Sequence, residues 1–191
     1  MNKRSKAMII MEISGMIFVL LSSLFMSKLN DLCGGSLVGM MFGSVNQSIW
    51  ESCKTLLLPY LVWGMIELLS LSVHMHAFTV IKTISLFFLG IAYTALRLIH
   101  GYDKPCIFAA VICVAAAFAL SFFLCNSKFD LSALFPVSVF LLFLFWALYF
   151  SFTPFPPKNK IFLDPQTGIY GIIPAHFDLG AAELDAIYYI S

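Results

Sequence analysis

The sequence predicts an all-α fold, a polytopic transmembrane helical bundle of about five spans, with a short re-entrant or half-buried glycine-rich segment and an ordered C-terminal tail. Three observations predict it. Of 191 residues, 61% are hydrophobic and 11% charged, against roughly 45–50% and about 25% in soluble domains. A water-soluble core of this length cannot hide so much apolar surface. The apolar residues fall in runs of about 20, the length a helix rising about 1.5 Å per residue needs to cross a hydrocarbon core about 30 Å thick. The net charge is only +1 and no basic patch occurs, which excludes nucleic-acid binding and charge-driven disorder.

Five runs qualify, at about 7–26, 55–73, 78–99, 105–125 and 131–152. Backbone donors and acceptors in lipid must be paired within the segment, and no alternating barrel pattern is present, so each run is expected to be a helix. Lys3, Arg4 and Lys6 before the first run resemble the start of a secretory signal. Glu12 within the run, its length and the lack of a small-x-small cleavage site favour a retained helix. Between the first two runs, positions 32–45 are apolar but short, and Gly35, Gly39 and Gly43 recur every four residues. On a helix that spacing gives a smooth stripe that another helix can approach closely. Such a segment either shapes a cavity or packs as a structural helix; in both cases it belongs inside protein.

Residues 1–152 are thus read as the membrane domain and 153–191 as an extramembrane tail. Thr153-Pro154-Phe155-Pro156-Pro157 stops the fifth helix, and Asp164-Pro165-Gln166-Thr167-Gly168 has the composition of a tight turn in which Asp164 caps and Gly168 takes positive φ. Residues 177–191 are compatible with a short acidic amphipathic helix or a frayed end. Five crossings gather 46–54, 97–104 and the tail at one end, and leave the N-terminus, His74, His76 and 128–130 at the other. The basic N-terminus argues for a cytoplasmic start in a multi-pass cell-membrane protein, although Lys28, Lys54, Arg97, Lys104, Lys158 and Lys160 weigh on the opposite side.

Two polar constellations interrupt the apolar pattern. In Asn46-Gln47-Ser48-Ile49-Trp50-Glu51-Ser52-Cys53-Lys54, Asn46 or Ser48 can cap a helix start, and Glu51 and Lys54 at i and i+3 share a face. This is either an interfacial helix with Trp50 in the aromatic belt or a desolvated acid beside a lysine. In the third span, Ser85, Tyr93, Arg97 and His100 each fall within about 60° of Lys82 at about 100° per residue. Such a stripe faces the bundle interior or a watery cavity, unless Lys82 and Arg97 snorkel to the helix ends. Glu67 can pair with Lys82 or Arg97; Glu12 can pair with Lys6 or with another helix.

The candidate polar site is Asn46, Trp50, Glu51, Lys54, Glu67, Arg97, His100, Asp164 and Tyr170. His74 and His76 read as an interfacial pair. Cys33, Cys53, Cys106, Cys113 and Cys125 contain no CxxC pair and read as reduced and structural. With no HExxH helix, P-loop or Gly-x-Ser-x-Gly elbow, neither metal nor cofactor is expected.

The string from Asn46 to Lys54 followed by Pro59 and Glu67, and Pro156-Pro157 followed by Asp164-Pro165-Gln166-Thr167-Gly168-Ile169-Tyr170-Gly171, together resemble the DUF6512 family, an uncharacterised family of small bacterial integral membrane proteins. The resemblance runs from about 10 to 172. In that family's pattern the first motif is closer to Asn-Glu-Ser-Val-Trp-Glu-His-x-Lys and the tail to Pro-Pro-His; here Gln47, Ser52 and Lys158 depart. The absent histidines argue against any metal or acid/base role they would serve in relatives. The resemblance implies a membrane fold with the two motifs joined in space, and no particular activity.

Three functions remain open at this level. The first is a non-catalytic structural or assembly partner, held in the bilayer with a membrane-protein partner or a second copy, and marked by a dry, filled bundle. A small oligomeric transporter component would show polar access from both ends. An intramembrane enzyme on a lipid or lipid-linked substrate would show a water-filled pocket around Glu51, Lys54, Arg97 and His100.

Overall fold

The structure is a computed structural model that describes residues 3–71, 73–100, 107–127 and 129–172, with side chains from Lys6 onward. Its elements are α1 (Lys3–Leu32), α2 (Leu37–Phe42), α3 (Ile49–Ser70), α4 (Met75–His100), α5 (Ile107–Asn126), a 3₁₀ turn (Ser132–Leu134) and α6 (Phe135–Ser151). Five stretches are long and apolar enough to cross a bilayer: α1, α3, α4, α5, and the 3₁₀ turn continued by α6 over Ser132–Ser151. They correspond to the five expected spans, in order. The boundaries differ most for α1 and α3, which start earlier than their apolar runs because polar residues extend both helices outward. The acidic helix expected over 177–191, the loop around Lys104, and Cys106, Lys128 and His176 lie outside the described residues.

Local chemistry sets the helix ends. Gly34 and Gly35 adopt φ of 59° and 71°, and the Gly35 N–H donates to the Asn30 carbonyl at 3.0 Å, a left-handed cap that stops α1. Ser48 caps α3 by accepting from the Glu51 N–H at 3.3 Å, and the Asn46 side chain accepts from the Ser48 N–H at 2.9 Å, so both expected capping residues serve one helix start. Before the 3₁₀ turn, Asp130 accepts from the Ser132 N–H at 3.0 Å. Hydrogen bonding from the Ser132 hydroxyl and N–H holds the Asp130 carboxyl below its usual range.

The glycine-rich segment does not cross. Its helical part, α2, has six residues and is about 9 Å long, far short of the apolar thickness. The four-residue glycine stripe also fails as a single helical face, because Gly35 belongs to the α1 cap and Gly43 is the C-cap of α2. Gly39 and Gly43 still perform the expected function: a Cβ at Gly39 would lie 2.9 Å from Cys33 Cβ and 3.1 Å from Asn30 Cα, and one at Gly43 2.8 Å from Asn30 N, so their absence lets α2 lie directly on the end of α1.

Helix α4 packs against α3, α5 and α6, and α1 packs against α2, α3 and α5. Val19, Leu56, Leu89, Val114 and Ala117 form the centre of the core, with Tyr60, Phe118, Phe145 and Tyr149 around them. Gly15 makes the α1 contact possible, since a Cβ there would lie 2.6 Å from the Phe118 ring and closer still to Trp63. The opposite helix faces are bare hydrocarbon: Leu69 is 86% exposed, Phe108 78% and Phe143 72%. A folded chain immersed in water would expose such faces at great cost.

Candidate functional site

The chain's two specific motifs meet at one end of the bundle. The Asn46 side-chain amide donates to the Gly171 carbonyl at 2.7 Å, and the backbone N–H of Trp50 donates to the Ile161 carbonyl at 3.0 Å. The Trp50 ring stands between Phe152 and Phe162, with centroid separations of 5.3 and 5.6 Å. It is therefore an anchor for the tail, where the sequence suggested a belt residue. Asp164 is buried and organises the turn: its carboxylate accepts from the Gln166 N–H at 3.1 Å and the Thr167 hydroxyl at 2.8 Å, with Gly168 at φ 70°. Leu163 and Tyr170 face each other as an isolated antiparallel bridge, so Tyr170 closes the turn.

Beneath this tail, Glu51 and Lys54 are sealed, with side-chain exposures of 3% and 0%. Lys54 Nζ donates to both Glu51 oxygens, at 3.2 and 3.1 Å, and to the Thr153 hydroxyl at 2.6 Å. The Thr153 hydroxyl in turn donates to Glu51 Oε1 at 3.0 Å, and the Val45 N–H donates to Oε2 at 3.2 Å. The Tyr149 ring covers the ammonium with its centroid 5.3 Å away. The ion pair is thus enclosed by α3, Tyr149 of α6, Thr153 just beyond α6 and the loop before α3. Such an arrangement locks helices and leaves no face for a substrate.

The open volume lies beside this lock. A cavity of about 870 Å³ sits between the tail-side ends of α1, α3, α4 and α5, under the 44–47 loop and the 165–166 turn. Lys28 and Arg97 line it, together with Ser23, Ser27, Ser52, Thr55 and Tyr93; the hydroxyls of the four Ser and Thr residues donate to backbone carbonyls three or four positions earlier. Among its described lining residues there is no carboxylate. Helices α1 and α5 touch lower down, where the Ser121 hydroxyl donates to Glu12 at 2.9 Å. Higher up, Leu24 of α1 and Ile107 and Val111 of α5 stand on the cavity wall. The cavity therefore combines a polar, basic head with an apolar flank.

The expected stripe on α4 divides in two. Arg97 and Tyr93 are buried at the cavity, whereas Lys82 and Ser85 are buried toward the other end of the bundle. His100 is exposed, its Nδ1 3.1 Å from the Leu96 carbonyl of its own helix, and does not join Glu51 or Lys54. Glu67 pairs with Lys82, and Lys82 also reaches Glu12 at 3.2 Å, which gives both internal acids the same partner. Glu67 thus stands apart from the tail-side residues: it lies 13 positions beyond Lys54 on α3, about 20 Å along the axis. Sequence reasoning passed over Thr153, Lys28 and Ser121 as site residues. A threonine in a helix stop and a serine in an apolar run carry no signal until the partner helix is known.

At the other end, the His76 ring packs on Phe135 with centroids 4.4 Å apart. Among the described residues, no group of three or more His, Cys, Asp or Glu side chains could hold a metal ion. No curated protein and no solved structure matches the chain. The family described as "Family of unknown function (DUF6512)" matches residues 1–172, nine-tenths of the length and both motifs, and the chain belongs to it.

Proposed function

We propose that this chain is a polytopic membrane protein that binds an anionic amphiphile, of the lipid-phosphate class, in its tail-side cavity, and does so without catalysis. The observation that carries the reading is the cavity lining: Lys28 and Arg97 at one end, with apolar side chains at its flank. Arginine and lysine hold phosphate through charge-assisted hydrogen bonds. The bare apolar faces and five crossing-length helices favour a bilayer as the medium.

The same geometry weighs the other readings. Glu51 and Lys54 have no free face toward the cavity, which removes the acid/base pair on which an enzyme reading depended. For a transporter, polar access from both ends is needed, and the core between the cavity and the Lys82 region is filled by Leu56, Leu89 and Val114. The non-catalytic reading keeps the most support, with the sealed pair serving as scaffold for a binding site.

Thermal stability of the detergent-solubilised full chain, titrated with short-chain phosphatidic acid or with phosphatidylcholine of the same chain length, tests this. Phosphatidic acid should stabilise selectively, and Lys28→Gln and Arg97→Gln should each weaken binding by about tenfold, the worth of one charge-assisted contact. Equal stabilisation by both lipids, or an unchanged response in the double variant, refutes the proposal.

A further inference from the structure

A second polar cluster, independent of the cavity, lies toward the opposite end of the bundle. Lys82 of α4 reaches across to Glu12 of α1, with Nζ 3.2 and 3.3 Å from the two carboxylate oxygens, and pairs with Glu67 Oε2 of α3. Ser121 of α5 donates to Glu12 Oε1 at 2.9 Å. The rings of Phe118, Phe78 and Tyr60 surround the ammonium, their centroids 5.2, 5.5 and 5.6 Å away. Ser85 of α4 is fully buried in the same region, and α6 contributes only Leu142 and Trp146 to the crevice along the Lys82 stem. The titratable and charged groups that meet here are therefore Glu12, Glu67, Lys82 and the Tyr60 phenol.

The charges do not balance. Two carboxyl groups face one ammonium, and one uncompensated charge in such an interior costs several kcal/mol. The hydrogen bonds show which acid is provided for. Both Glu12 oxygens accept, one from Lys82 and Ser121 and the other from Lys82. Glu67 is 1% exposed, and its Oε1 has no hydrogen-bond partner, an arrangement unsuited to an ionised oxygen. Glu67 also occupies the last turn of α3, where the Leu71 N–H donates to its carbonyl and the partial negative charge of the helix end collects.

We propose that the Glu12–Lys82–Glu67 cluster is an intramembrane proton-binding site that holds one exchangeable proton on Glu67. With that proton bound, Glu12 and Lys82 form a neutral pair and Glu67 is a neutral acid. On its release, two carboxylates compete for a single ammonium, and the contacts joining α1, α3, α4 and α5 are set against one another. Glu67 lies one turn from the end of α3, so exchange takes place from that end of the bundle.

Infrared spectroscopy of the full chain in lipid vesicles at neutral pH tests this through the carbonyl stretch of protonated carboxyl groups, assigned by its shift in deuterated water. Charge counting predicts one such group in the wild type, its loss in Glu67→Gln, and its loss in Glu12→Gln as well, because either change leaves one acid opposite one base. Lys82→Met should raise the signal to two groups. The wild-type spectrum needs no variant to fold. Absence of the band there, its survival in both glutamine variants, or a wild type lacking the band but stabilised selectively by sodium would overturn the proposal.

Discussion

At the scale of single residues, the strongest commitments are the buried charges. Replacing Lys54 with Met leaves the Glu51 carboxyl without its cation in a sealed site, and replacing Glu51 with Gln leaves the Lys54 amine without its anion; each should cost about 3–5 kcal/mol of stability. The double variant Glu51→Gln/Lys54→Met should cost less than the sum, because neither charge is then left alone. Thr153→Val removes the hydroxyl that bridges the ammonium and the carboxylate and should cost about 1.5–3 kcal/mol. Denaturant titration in detergent, following the Trp50 environment, measures all four; strictly additive losses would mean that the pair is not coupled. The sequence made Glu51 and Lys54 legible as a pair because i and i+3 share a helix face. It left their environment open, since the third member, Thr153, lies 99 residues from Lys54. The same limit applied to Lys82, Glu67 and Glu12: the intramembrane charges stood out, but the choice of partner belongs to tertiary packing.

Individual elements give a second set of expectations. Gly15 is the point where α1 approaches α3 and α5, so Gly15→Leu should lower stability by about 1–3 kcal/mol through overpacking against Trp63 and Phe118, measured by the same titration. The tail is docked chiefly through the Asn46 amide and the Trp50 ring. Asn46→Ala should therefore speed limited proteolysis in the tail while leaving the helices intact; unchanged cleavage kinetics would show that the tail is held elsewhere. At the opposite end, the Asp130 carboxyl is held low by Ser132, so its contribution to the turn before α6 is present above the ordinary aspartate range and is lost as pH falls through the lowered value. Asp130→Asn should flatten the acid limb of the stability profile, and an unaltered profile would remove this contribution. Helix existence was legible throughout, because twenty-residue apolar runs admit few alternatives. The glycine segment was not: a four-residue glycine spacing suggests one face of a helix, and local caps at Gly35 and Gly43 decide otherwise.

For the whole molecule, the layout is asymmetric. One end carries the joined motifs, the sealed Glu51–Lys54 pair and the basic cavity, and the region toward the other holds the Glu12–Lys82–Glu67 cluster. That division was legible in part from counting crossings, which placed 46–54 and the tail together. The cavity itself was not, because it forms where α1 and α5 part company, and no single segment encodes the gap. The layout stands or falls on sidedness. Single cysteines at Ser52, Gln166 and Ser127, introduced into a cysteine-free chain in sealed vesicles of known orientation, can be probed with a membrane-impermeant thiol reagent, with permeabilised vesicles as the control. The account predicts that Ser52 and Gln166 react from one side and Ser127 from the other; labelling of Ser52 and Gln166 from opposite sides would contradict it.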